Sequence, residues 1–255
     1  MLTPDQKNGW KSDGFFIVPA FESQSRCRAL HDRVVEIARL SARGFRIPNV
    51  LIVPEKKPNP HARNPEDDLA KIFRLHRDAK FRALVEHCRY VEIAQELLGP
   101  EIDCFVSQFI FKNQGAMGQP WHQDSHYFAF SKGPQIGFWL AITRATLDNG
   151  CLHVVPGSHT ESVHRHVPDL RTHALYGYEE IVDYDTSKAV PVLLDAGDLL
   201  VFHSHLMHRS TDNISDGIRA AFVWHYAAAG TEDLTEQKFG FRNPSHDFMP
   251  VARRA

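Results

Sequence analysis

Apolar residues recur along the chain with two periods, and the change between them falls near Gly99. Between Ser23 and Leu40 they stand at Cys27, Leu30, Val34, Ile37 and Ala38, the spacing of a helix with one buried stripe. Phe81 to Leu98 repeats that spacing as a second amphipathic helix and stops at Gly99-Pro100. Thr3 is placed to cap a short helix opening at Pro4, and Asp13–Pro19 reads as a short buried strand closed by proline. Residues 41–68 carry Pro48, Pro54, Pro58, Pro60 and Pro65 and predict a long irregular loop, a candidate lid.

Beyond Gly99, short β-prone runs alternate with turn residues. The runs are Asp103–Phe111, Gln135–Ile142, Cys151–Val155, Ala189–Leu194, Leu199–His203 and Ile218–Tyr226. Asn149-Gly150, Pro156-Gly157, Ala196-Gly197-Asp198 and Asp216-Gly217 punctuate them. Strands at this spacing predict a sandwich or jelly roll. The expectation is one domain over residues 1–255. It has a mainly helical part (1–100), a β core (101–226) and a C-terminal tail (227–255), and is mainly β overall with flanking helices.

Composition narrows the class of partner. A formal net charge of -2 gives no basic surface for nucleic acid or an anionic membrane, and no apolar run approaches the roughly 20 residues of a membrane span. Four scattered cysteines, with no CxxC pair and no recognisable targeting signal, predict a cytoplasmic protein with reduced thiols. Such a protein acts on a small molecule as a monomer or homodimer. Histidine is the outlier, with 16 residues, most of them from His122 onward. That raises the expectation of a metal site without choosing ligands.

Pro120-Trp121-His122-Gln123-Asp124 contains an HxD pair. On a strand, residues i and i+2 share a face, so His122 and Asp124 could grip one metal from one side, with His126 next on that face. Two imidazoles and one carboxylate leave three coordination positions open, as iron(II) oxygenases require. His203, His205 and His208 compete for the third ligand. Arg219 follows inside a β-prone run, where an unpaired guanidinium is costly and a dicarboxylate ligand would resolve the cost.

Three blocks resemble the phytanoyl-CoA hydroxylase (phytanoyl-CoA dioxygenase) family, in the family's order. They are Trp121–Phe128, Asp148–His159, and Ala196-Gly197-Asp198 through His208-Arg209-Ser210 with Arg219. The resemblance covers roughly residues 70–226 and is specific for the family but not for a substrate. It implies a double-stranded β-helix, a cupin-like jelly roll, in which His122, Asp124 and His208 bind iron(II). It implies that Arg219, with Ser210, holds the distal carboxylate of 2-oxoglutarate. It places Trp139, Gln123, Gln108 and Lys71 on further cosubstrate-contact positions. Retention of Asp124, which related halogenases replace by a small residue, favours hydroxylation with O2 and release of succinate and CO2. The rival expectations are a non-catalytic metal-binding cupin-like protein and a non-oxidative metalloenzyme on the same barrel. Oxygen-dependent succinate formation separates them from the oxygenase.

Overall fold

A computed structural model of the chain describes residues 1–253 apart from 58, 61 and 176. The chain opens with helix α1 (Pro4–Ser12), strand β1 (Phe15–Val18) and helix α2 (Gln24–Ala42). It continues through β2 (Leu51–Pro54) and β3 (Leu69–Phe73) to helices α3 (Ala79–Val85) and α4 (Cys88–Leu98), then enters β4 (Ile102–Lys112). A short helix α5 (Asp124–Tyr127) precedes β5 (Ile136–Ala141) and β6 (Leu152–Val154). β7 (His166–Pro168) pairs with β8 (Glu179–Ile181). β9 (Val190–Val192), β10 (Leu199–His203), β11 (His208–Ser210) and β12 (Arg219–Ala228) follow, with α6 (Thr235–Phe239) and β13 (Met249–Ala252) last.

The large antiparallel sheet runs β1-β10-β5-β12-β4-β3-β2, with β13 also on β4. A smaller sheet, β11-β6-β9, faces it, giving a jelly-roll core. Alternation along β12 shows how the layers divide. Ala220, Phe222, Trp224 and Tyr226 belong to the core shared with the helices, whereas Ala221 and Val223 belong to the core between the sheets. On the helix side Trp224 stacks on Phe138 and Phe222, with ring centroids 5.2 and 5.0 Å away, and Tyr90 of α4 meets it edge-on at 5.0 Å. Each such buried aromatic contributes roughly 1.5–3 kcal/mol through the area it removes from water. This clamps the helices to the sheet's back and leaves its front free for a cavity.

Two expectations are corrected and two are refined. Phe81–Leu98 is two helices, because the buried positions Phe81, Leu84 and Val85 are out of phase with Tyr90 and Ala94, and the chain re-phases where His87 caps α4 by accepting from the Arg89 N–H. Residues 41–68 are not one irregular loop: Leu51–Pro54 is a strand and Pro65–Asp68 a 3-10 turn. The first hundred residues also supply β3, whose pairing with β4 (Lys71 opposite Ile110, Phe73 opposite Gln108) fixes it as a strand. The C-terminal stretch is built into the large sheet through β13.

Candidate metal centre and its cavity

His122 and His208 face each other across an isolated antiparallel bridge. Each backbone N–H donates to the other's carbonyl, at 2.9 and 3.0 Å. Directly opposed residues put their side chains on one face, and the two rings lie 4.1 Å apart. Nδ1 of His122 lies 2.7 Å from the Pro120 carbonyl, and Nδ1 of His208 lies 2.9 Å from the Leu206 carbonyl. A carbonyl only accepts, so both Nδ1 atoms donate and both Nε2 lone pairs are left for a metal. Burial, reinforced by the facing His208, holds the His122 imidazole well below its usual range, which keeps it in the neutral form that ligates.

Asp124 joins them by a different route from the one its spacing predicts. It does not continue a strand from His122; it starts α5, where Ser125 N–H donates to the Ser204 carbonyl and the Ser125 and Ser204 hydroxyls bond at 2.7 Å. The turn swings the carboxylate toward both imidazoles, and its Oδ1 lies 3.7 Å from His122 Nε2 and 3.8 Å from His208 Nε2. One ligand atom from each of His122, Asp124 and His208 falls within 4.8 Å of the others, a set that fits one metal ion. Burial alone would push the Asp124 carboxyl up. The facing His225 and His208, with a hydrogen bond from His225, outweigh it and hold the group well below the usual carboxylate range.

The three groups line a cavity of about 620 Å³, whose lining also carries Arg219, Lys71, Gln108, Ser210 and Trp139. Arg219 is 1% exposed, and its Nε and Nη1 have no hydrogen-bond partner among the described residues. Burial draws its guanidinium down to about 10, still charged at neutral pH. Trp139 supports it from below at 5.4 Å, a cation–π contact. A buried, charged and unpaired guanidinium in a cavity fits a carboxylate-bearing ligand. Lys71 sits over the Tyr178 ring at 5.0 Å, and burial lowers its ammonium to about 8 against the pull of Asp124 and Glu55. Gln108 Oε1 is also buried without a partner among the described residues. Ser210 Oγ accepts from the Gln119 N–H at 3.0 Å.

Gln123 is placed apart from this wall. Its side chain is fully buried, donates to the His205 carbonyl at 2.8 Å and accepts from the His164 N–H at 2.7 Å. It braces chain segments through these bonds and is absent from the cavity lining. His203 and His205 are absent from the cavity lining, and His203 instead tilts against Trp10 at 5.5 Å. His126 does line the cavity, but on α5 rather than on a strand. Its Nε2 bonds the Glu179 carboxylate, and its ring stacks on His166 at 3.9 Å. Sequence reasoning missed His225; it expected substrate contacts from residues 160–188 and the C-terminal tail without singling out Tyr178, Glu179 or the stretch from Thr235 to His246, all of which form part of the lining. His225 was findable, since it lies six residues after Arg219 on one strand and so shares its face. Glu179 reaches the cavity at the start of β8 and Thr235 and Phe239 from α6, and none of these positions sits in a recognisable motif.

The family model for phytanoyl-CoA dioxygenase matches residues 10–221. A Bos taurus protein, phytanoyl-CoA dioxygenase domain-containing protein 1, is 30% identical over 90% of this chain and 92% of its own length. The human peroxisomal phytanoyl-CoA dioxygenase is 27% identical over all of this chain and 77% of its own. Among solved structures, the apo non-heme monooxygenase ThoJ superposes with a TM-score of 0.71 at 22% identity, covering 97% of this chain and 84% of its own. EvdO2 of Micromonospora carbonacea var. aurantiaca, complexed with 2-oxoglutarate, gives 0.68 at 21% identity, covering 91% and 93%. These two structural likenesses speak to the fold.

Proposed function

The chain belongs to the phytanoyl-CoA dioxygenase family of 2-oxoglutarate-dependent non-haem iron oxygenases, and we propose from that premise that it hydroxylates an aliphatic C–H of a largely apolar small molecule, releasing succinate and CO2. The observation that carries this reading is one cavity with two complementary ends. His122, Asp124 and His208 converge at one, and the unpaired Arg219 guanidinium waits at the other. Iron(II) and 2-oxoglutarate, when bound, supply the oxidising chemistry with O2. The protein's residues do the rest. The two imidazoles and one carboxylate hold the metal on one side. Arg219 and Ser210 take the distal carboxylate, Trp139 keeps the guanidinium in place, and Lys71 adds positive charge.

The remaining lining supports the substrate class. The volume lies within the roughly 300–1,000 Å³ usual for small-molecule sites. Leu51, Phe73, Phe128 and Leu175 line it, and the half-exposed Phe239 and Phe241 mark its mouth. Among the described residues the basic side chains that line it are Lys71, Lys112 and Arg219, and Lys112 Nζ donates to the Met117 and Thr211 carbonyls. Little charge is therefore left for an anionic substrate. The His126–Glu179 pair offers a polar foothold on the same wall as the metal ligands. The test is oxygen-dependent succinate formation by purified protein supplied with iron(II), 2-oxoglutarate and a panel of apolar candidates. Asp124→Ala should bring it to background; full succinate production by that variant would sink the reading. No membrane-crossing helix occurs among the described residues.

A further inference from the structure

Asp124 turns its two carboxylate oxygens to different company. Oδ1 faces the Nε2 atoms of His122 and His208, at 3.7 and 3.8 Å. Oδ2 lies 2.7 Å from Nε2 of His225. A carboxylate can hold a cation with one oxygen or with both. We propose that His225 is a positioning residue that restricts Asp124 to one-oxygen ligation. It thereby keeps open a coordination position that a second carboxylate oxygen would fill. The inference rests on the reading of His122, Asp124 and His208 as metal ligands.

The geometry is built rather than incidental. His225 is 3% exposed on the inward face of β12, two residues beyond Val223 and six beyond Arg219. The register of β12 against β4 shifts between His225 and Tyr226, a bulge that bends the strand where the ring must be aimed. Phe128, Phe105 and Phe202 enclose the imidazole with ring centroids at 5.2, 5.8 and 5.8 Å. Phe202 also meets His208 edge-on at 5.2 Å. Phe202 can lie there because position 137, across the strand pair, is glycine: a Cβ on Gly137 would come 2.2 Å from its ring.

Hydrogen placement follows from the partners. An ionised carboxylate accepts and cannot donate, so His225 Nε2 donates to Oδ2. Nδ1 of His225 has no partner among the described residues, which leaves Nε2 as the ring's productive contact. The bond commits an Oδ2 lone pair and orients the carboxylate plane, so Oδ1 alone is presented to the metal face. His225 cannot itself be the nearer ligand, because Oδ2 stands at hydrogen-bond distance from its Nε2.

The experiment compares His225→Phe, which keeps a ring without a donor, with His225→Gln, which restores an N–H donor. Both are checked for folding by circular dichroism and melting. The probes are cobalt(II) affinity and the anaerobic visible band given by iron(II) with 2-oxoglutarate. His225→Phe should weaken cobalt(II) binding by about 10–100-fold, the usual cost of losing a partner that orients a metal ligand. It should also diminish the visible band, and His225→Gln should return both to within a few-fold of wild type. Wild-type affinity and band in His225→Phe overturn the proposal, as does equal weakness in both folded variants. X-ray absorption of the iron(II)-loaded wild-type protein, without 2-oxoglutarate, tests it with no variant. A short metal–carbon shell from a two-oxygen carboxylate overturns it, and absence of that shell supports it. Failure of the wild-type protein to bind either metal would instead overturn the ligand reading on which this inference rests.

Discussion

At the metal end of the cavity each ligand is held by an internal hydrogen bond: His122 and His208 donate to the Pro120 and Leu206 carbonyls, and Asp124 accepts from His225. At the Arg219 end the guanidinium Nε and Nη1 are buried without one. The difference separates two strategies for binding. The metal ligands are oriented in advance, so little ordering is lost when an ion arrives. The guanidinium is kept out of water with its hydrogen bonds unmade, a standing cost to the fold that a dicarboxylate would relieve. Stability is sacrificed where the ligand must be recognised and kept where geometry must be fixed.

Arg219→Met tests that contrast with the largest expected effect. It keeps the aliphatic volume over Trp139 and removes the charge. Losing one partner of a buried charged pair typically costs 2–5 kcal/mol. The half-saturating 2-oxoglutarate concentration should therefore rise about 30-fold or more. The ligand-free protein should become more stable, by about 1–3 kcal/mol, since an unpaired buried group is gone. Thermal melting reads both: 2-oxoglutarate raises the wild-type midpoint and leaves that of the variant unchanged. An unaltered half-saturation value would show that Lys71 or Lys112 does the anchoring.

The two ends also differed in how legible they were. HxD and the downstream histidines pointed to the metal end, yet the reason offered for the pairing, strand alternation, does not operate: His122 is bridged to His208, and Asp124 begins α5. A two-residue spacing is equally compatible with a bridge followed by a turn, and only the long-range contacts to Ser204 decide between them. Arg219 was readable because a guanidinium inside an apolar strand is a local conflict that calls for a partner. Gln123, given a cosubstrate contact by the resemblance, braces the His164 and His205 segments instead of lining the cavity, through long-range bonds that its neighbours in sequence do not reveal. The helix break at Glu86-His87 is written in the phase change between Phe81, Leu84, Val85 and Tyr90, Ala94, whereas strand β3 was not readable. Strand β3 is settled by its register against β4 rather than by the segment's own pattern.

Lys71 allows the contrast to be tested through pH. Burial lowers its ammonium to about 8, so the empty cavity loses that charge as pH rises through about 8 and retains it below. Binding a dianion favours the charged form. Binding should then take up a proton above pH 8, and the 2-oxoglutarate requirement should climb between pH 7 and 9. The limit is roughly tenfold, set by one pH unit beyond the group's titration point. In Lys71→Met the requirement should be higher at pH 7 and flat across that interval. A wild-type requirement that stays level from pH 7 to 9 would remove Lys71 from the anchoring end.

Gln108 marks where one end gives way to the other, and its replacement should do least. It stands opposite Val223, four residues along β12 from Arg219 and two from His225, and so lies mid-wall between the anchor and the metal. Its amide oxygen is buried without a partner, but a dicarboxylate, having only acceptors, cannot supply one; only the amide N–H can serve such a ligand. Gln108→Leu removes the orphan and keeps the volume. Ligand-free stability should hold or rise, and the 2-oxoglutarate requirement should shift by no more than about fivefold, one ordinary hydrogen bond. A shift as large as that of Arg219→Met would place the carboxylate's chief contact at mid-wall, and the picture of a prepared metal end facing an unsatisfied arginine end would have to be redrawn around Gln108.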